Sequence, residues 1–154
     1  MNAKLLASAL RFTGLAALFT VVFLLPSCSS PNSSGSPGVY PKAVSAADEA
    51  SAIQSLRTIA TAQGQLKATR GSYGNFDALV QAGFLDTRFN GDAPNLRGYR
   101  FNIKVTDSVF AVNADPQTTQ TQPTTGTRHF YLDSSDNAVH FNAGQQASKN
   151  DPTL

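Results

Sequence analysis

The chain has 154 residues, with one cysteine, no tryptophan and 14% charged side chains, a size that suits one domain with additional segments. Lys4 and Arg11 lie in the first 27 residues, and the other 10 basic residues match the 10 acidic ones, so the rest of the chain is neutral. A neutral chain carries no electrostatic footprint for nucleic acid or anionic headgroups, and one cysteine excludes an intramolecular disulfide, so the fold must rely on its core.

The first element is an apolar run. Lys4 and Arg11 give a weakly positive start, and Phe12 to Leu25 (FTGLAALFTVVFLL) is apolar apart from Thr13, Gly14 and Thr20. These 14 residues fall short of the roughly 20 that a membrane-spanning helix needs. A positive start, a short apolar run and small residues after it make a secretory signal peptide over residues 1–27. The alternatives are a short buried helix or an uncleaved signal anchor. Leu25-Pro26-Ser27-Cys28 resembles a bacterial lipobox, with an apolar residue three before the cysteine and a small one just before it. Leu25 and Ser27 fit that pattern, and Pro26 departs from it at the middle position. The resemblance implies acylation (palmitate or a similar chain) on the Cys28 thiol, cleavage before it and a further acyl chain on the new amino terminus. Several chains at about 0.8 kcal/mol per buried methylene anchor stably where one is marginal. The other reading of Cys28 is a bystander next to the signal cut. Ser29 is not the aspartate that favours inner-membrane retention in such lipoproteins, which favours the outer membrane.

Residues 28–44 form a tether. SSPNSSGSPGVYPKAV is rich in Ser, Pro and Gly and has too little apolar surface to offset its ordering entropy. It is expected to act as a flexible spacer reaching tens of Å at roughly 3.3 Å per residue.

A folded domain is expected over residues 45–143. Ser45 to Gly71 has Ile53, Leu56, Ile59, Ala60, Gln63 and Leu66 at three- and four-residue spacing, which predicts a long amphipathic helix. Ser45 is the expected N-cap, with Asp48 three residues on and Glu49 near the positive end. Lys67 and Arg70 suit the last turn and Gly71 the left-handed cap. Gly64 weakens the helix by about 1 kcal/mol relative to alanine. NFDALVQAGFLD predicts a short second helix capped by Asn75 and stopped by Gly83.

The remainder reads as strands. Tyr99 to Thr106 alternates, with Tyr99, Phe101, Ile103 and Val105 on one face, and VFAVNAD follows a turn at Asp107–Ser108 with Phe110, Val112 and Ala114 on one face. Pro116 to Gly126 is a polar loop. TRHFYLD and AVHFN form a second hairpin around Ser134–Asn137. Facing Asp133 with Ala138 sets Leu132 against Val139 and Phe130 against Phe141, both inward, and His140 against Tyr131. Residues 144–154 are polar and expected to fray. The fold class is α+β: a long helix packed on a four-stranded antiparallel sheet.

DEASAIQSLRTIATAQGQLKAT, GSYGNFDALVQAGFLD, GYRFNIKV and GTRHFYLDSSDNAVHF together resemble the globular head of type IV pilins and type II secretion pseudopilins, over about residues 47–142. The resemblance implies a roll in which the second half of the pilin helix lies across the sheet. One large departure stands out. Pilins follow a Gly-Phe leader cut with an unbroken apolar helix half that carries glutamate at its fifth position. Here a cut at Gly14 would place Phe19 there, and the apolar run ends at Pro26. The polymerising half is therefore expected to be missing, with the head carried on a lipid anchor instead.

No catalytic constellation is legible: there is no Gly-x-Ser-x-Gly elbow and no phosphate-cradling glycine loop. His129 and His140 fall near each other on the outer face of the second hairpin, where two exposed histidines are expected; as a metal site they would need a third ligand. Asp133 and Asp136 bracket a turn. They read as turn formers, or as calcium ligands without a recognised loop spacing. Arg128 is expected to start its strand with a structural salt bridge. No cofactor or metal is assigned. The expectation is a non-enzymatic structural or interaction module in the cell envelope, with its head in the periplasm or on the surface. Its expected partners are the membrane, through lipid, and proteins of a secretion or pilus assembly, not nucleic acid. The alternative is a periplasmic ligand- or metal-binding lipoprotein using the Pro116–Gly126 loop or the two histidines.

Overall fold

The computed structural model describes residues 42–117 and 126–154. The signal segment, Cys28, the tether before Lys42 and most of the Pro116–Gly126 loop lie outside the described residues. In chain order the elements are helix α1 (Lys42–Arg70), helix α2 (Phe76–Gln81), a 3-10 turn (Thr87–Phe89) and strands β1 (Asn95–Leu96), β2 (Tyr99–Val105), β3 (Phe110–Pro116), β4 (His129–Asp133) and β5 (His140–Asn142). The strands form one antiparallel sheet in sequential order. This is the expected α+β layout, with five strands instead of four.

Helix α1 has 29 residues, or about 43 Å at 1.5 Å per residue. It begins at Lys42, so Ser45 lies inside the first turns and is not the N-cap. Asp48 and Glu49 lie in the second turn and are buried, rather than sitting at the positive end as expected. The buried stripe is Ala52, Leu56, Ile59, Ala62, Gln63 and Leu66, while Ile53 and Ala60 flank it half-buried. The stripe lies against β3 and β4, and its small alanines let the helix approach the sheet closely. Gly71, at φ +80°, closes the helix by donating its N–H to the Lys67 carbonyl at 2.8 Å.

Gln63 is fully buried inside this apolar stripe. Its side-chain amide grips the Gly74 backbone twice: Nε2 donates to the Gly74 carbonyl and the Gly74 N–H donates to Oε1 at 3.1 Å. A β-carbon at Gly74 would lie 2.6 Å from Leu66 Cδ2 and 2.9 Å from Ala78 Cβ, so only glycine lets the chain pass this close to α1. The clamp sets where α2 begins. Asn75 then caps α2 as expected, accepting from the Ala78 N–H at 2.9 Å.

The first hairpin has the expected faces. Phe101 faces Ala114, Ile103 faces Val112 and Val105 faces Phe110. The second has the expected register, with Phe130 opposite Phe141 and Tyr131 opposite His140. Tyr99, Phe101, Phe110, Val112, Phe130, Leu132 and Val139 meet α1 in one core, which α2 and Phe89 close at one side. Strand β1 is the unexpected element. Leu96 pairs with Tyr99 across the two residues Arg97 and Gly98, both at positive φ (48° and 75°), the backbone of a tight hairpin turn.

The expectation of frayed residues 144–154 is overturned. This segment folds back along β5. The Phe141 N–H donates to the Pro152 carbonyl and the Leu154 N–H to the Val139 carbonyl, both at 2.9 Å, with Thr153 bridging His140. Asn113 and Gln146 pin its middle by donating to the Ala147 carbonyl and to Asp115 Oδ2, each at 2.8 Å. Counting apolar residues hides this, because polar side chains make almost all of the attachment.

Candidate functional site

Among the described residues, three places gather chemistry-bearing side chains. The first joins α1 to the start of β4. Glu49 Oε1 accepts the backbone N–H groups of Thr127 (3.0 Å) and Arg128 (3.3 Å), and Oε2 accepts Arg128 Nε at 2.8 Å with Nη2 2.7 Å away. Arg128 is the expected strand-opening cation, and its partner, unassigned in sequence, is Glu49. Its guanidinium also lies 5.4 Å from the Phe130 ring centre and 5.5 Å from that of Phe141. Burial alone would raise the Glu49 pKa. The Thr127 amide and the Arg128 guanidinium outweigh it, leaving the carboxyl below its ordinary value.

Tyr99 completes this cluster, donating its hydroxyl to the Arg128 carbonyl at 3.1 Å. Its burial, and then the nearby Glu49 charge, raise the phenol pKa. Gly126 threads between these groups: a β-carbon there would collide with Tyr99 Oη and lie 2.9 Å from Glu49 Cγ. Beside it, Arg97 Nη1 lies 3.6 Å from Asp48 Oδ1. The arrangement fastens the end of the Pro116–Gly126 loop to the helix.

The second place is the outer face of β4 and β5. The expected pair of exposed histidines is corrected. His140 is buried and His129 half-buried, because residues 143–154 cover that side. Their partners differ. His129 Nδ1 lies 2.7 Å from Asp115 Oδ1, while His140 has Asp136 Oδ2 at 3.0 Å from Nε2 and the Asp151 carbonyl at 2.7 Å from Nδ1. Asp133 accepts from the Tyr131 hydroxyl (2.8 Å) and from Ser135, and Asp136 Oδ1 accepts from the Ala138 N–H at 2.9 Å. Both aspartates make the hydrogen bonds of turn formers. Burial, then the Asp133 hydrogen bond, pushes the Tyr131 phenol up to about 12. Among the described residues, no three His, Cys, Asp or Glu side chains gather as a metal site: His140 pairs with Asp136, while His129 is held by Asp115 and Asp133 by Tyr131 and Ser135.

The third is a groove of about 470 Å³ between α1 and the segment from Asp86 to Arg97. Ser51, Gln54, Ser55 and Thr58 line one wall and Arg88, Asn95 and Arg97 the other, with Phe89 beneath. Ser55 and Thr58 spend their hydroxyl protons on the carbonyls of Ser51 and Gln54, each at 2.9 Å, and so present acceptors to the groove. Arg88 is held by Asp86 at 2.8 Å. Sequence reasoning missed this place because its wall is the polar back of α1, which carries no motif.

No family model, curated protein or solved structure matches the chain. Among the described residues, no helix is long and apolar enough to cross a membrane.

Proposed function

We propose that this protein is an exported, lipid-anchored interaction module without catalytic activity, whose head is a pilin-like roll. The observation that carries this reading is the order of parts. A short apolar run ends in Leu25-Pro26-Ser27-Cys28, a Ser/Pro/Gly-rich stretch follows, and a long helix then lies against an antiparallel sheet. The helix-on-sheet layout supports a pilin-like head, and the resemblance in sequence supplies the association with a secretion or pilus assembly. In this reading the acyl chains on Cys28 replace the apolar helix half through which pilins assemble. The head then faces the periplasm or the cell surface, with the outer membrane favoured.

The test is Cys28→Ala followed by palmitate labelling and membrane fractionation. Labelled, membrane-bound wild type and unlabelled, released variant are expected. A variant still fully in the membrane would overturn the anchor, and crosslinking in cells reads the partner. A second reading, a periplasmic ligand-binding lipoprotein, is favoured by the groove beside α1, whose volume lies within the usual range for small-molecule sites. Calorimetry with Zn²⁺ and Ca²⁺ on the full chain separates its metal-binding form from the first: a clean micromolar isotherm promotes it.

A further inference from the structure

We propose that residues 143–154 form a releasable strap over the edge of β5, latched by the doubly protonated imidazole of His140. The geometry of the ring carries the inference. Both ring nitrogens face acceptors: the Asp151 carbonyl at 2.7 Å from Nδ1 and the Asp136 carboxylate at 3.0 Å from Nε2. Neither partner has a proton to give, since a carbonyl and an ionised carboxylate only accept. Neutral imidazole has one N–H, so one of the two contacts must then fail. Only the imidazolium satisfies both, and it does so at a site where His140 is 5% exposed and poorly reached by water.

The groups around the ring come from every neighbouring element. Tyr131 of β4 meets it edge-on with ring centres 6.1 Å apart, Asp133 and Asp136 lie on the turn side, and Asp151 comes from the strap itself. The charges among them are negative and favour the cation. The Asp151 carbonyl raises the His140 pKa most, burial opposes it, and Asp136 and Asp133 add to the rise. A raised value fixes the sign. The latch is complete below the ordinary histidine range and is lost as pH climbs through the folded value. Asp136 and Asp151 are both lowered, Asp136 by the Ala138 amide first and Asp151 by the Asn142 amide first. They fail only at the acid end. The strap is therefore tightest in mildly acidic solution and loosens towards alkaline pH.

Little else holds it. Ala147, at 3% exposed, is its one buried apolar side chain, and its other attachments among the described residues are the polar bonds from Asn113, Asn142 and Gln146 and the backbone bonds to Val139 and Phe141. Segments with few buried apolar contacts open at free energies far below that of global unfolding. Opening the strap frees the Phe141 N–H and the Val139 carbonyl and turns β5 into an unpaired sheet edge.

Hydrogen exchange on the purified full chain tests this, read as protection factors so that the intrinsic pH dependence cancels. Between about pH 5.5 and about pH 8.5, protection at the Phe141 and Leu154 amides should fall about tenfold, the size of losing one hydrogen bond to a charged group. Protection at Val112 in the middle of the sheet should hold. In His140→Gln the Phe141 and Leu154 amides should be poorly protected at both values with no step between them. A flat wild-type profile, a parallel fall at Val112 or a step that persists in His140→Gln would overturn the latch. Should His140→Gln not fold, Asp136→Asn serves in its place: the step should move to lower pH, and an unmoved step would overturn the latch equally.

Discussion

Glu49 joins two parts of the chain through one carboxylate. It satisfies two strand amides and a guanidinium from a helical position where solvent hardly reaches. Removing its charge leaves those donors facing a weaker acceptor, and partly buried ion pairs of this kind cost a few kcal/mol to break from one side. Glu49→Gln is expected to lower stability by about 2 kcal/mol, discounted because Arg128 is one-third exposed, as read by urea denaturation. Its pKa is lowered on folding, so its contribution is present above the ordinary glutamate value and fades as pH falls through the folded one. The wild-type minus Glu49→Gln difference should therefore shrink on acidification. Gln63→Leu makes the complementary point. It fits the apolar stripe by size, yet it strips both partners from the Gly74 peptide. About 2–3 kcal/mol of destabilisation is expected from the orphaned groups, and calorimetric melting would measure it. Neither role was legible in sequence. A buried glutamine at stripe spacing looks like an interruption, and Glu49 looks like a carboxylate placed for the helix dipole.

At the scale of elements, alternation and turn residues gave the two hairpins their faces and register, because an error of one residue would have turned Phe130, Leu132 and Val139 to solvent. Strand β1 escaped for the opposite reason: two residues cannot display a period. Its only signal was the dipeptide Arg97-Gly98, now seen with both residues at positive φ. The strap escaped because it is held by side-chain amides and carboxylates, which sequence patterns treat as solvent-facing. The start of α1 was missed by three residues because Lys42, Ala43 and Val44 carry no stripe of their own and end exposed. The middle of α1 was plain, and it carries the tight packing. Leu56 is fully buried between helix and sheet, so Leu56→Ala should cost about 3 kcal/mol in denaturant. Gly64, by contrast, has open space around its α-carbon. Gly64→Ala is expected to stabilise the helix by up to about 1 kcal/mol and to raise the melting temperature.

Across the whole molecule, the titrating contacts set a pH window. Glu49, Asp133, Asp136 and Asp151 are all lowered in the fold, so acid removes their contributions together. His140 and Tyr99 are raised, so their contributions hold at low pH and are lost upward, His140 above the ordinary histidine value and Tyr99 only in strong alkali. Stability should pass through a maximum in mildly acidic solution, and melting temperatures measured across a buffer series would show it. Between the acid and alkaline ends the aliphatic and phenylalanine core does not titrate, so the change there falls on the strap, the Asp133 turn and the Glu49 contact. Of the candidate sites, sequence named the histidines but set them in the open, and it named the aspartates as turn formers, which is how they bond. The fold changed the histidines' environment and left their register intact.

The bond from Thr127 to Glu49 spans 78 positions of chain. During synthesis, therefore, α1 can form and the first hairpin can close while the pocket around Glu49 is still vacant. Closing a loop of that length carries an entropy cost of about 4 kcal/mol, part of which the packing of α1 on β3 offsets before the later strands complete it. A chain stalled short of Gly126 would hold an acidic group against the sheet with no amide or guanidinium to meet it. Such a fragment should leave its helix start open to proteases, whereas a chain extended past Arg128 should resist them at the same peptide bonds.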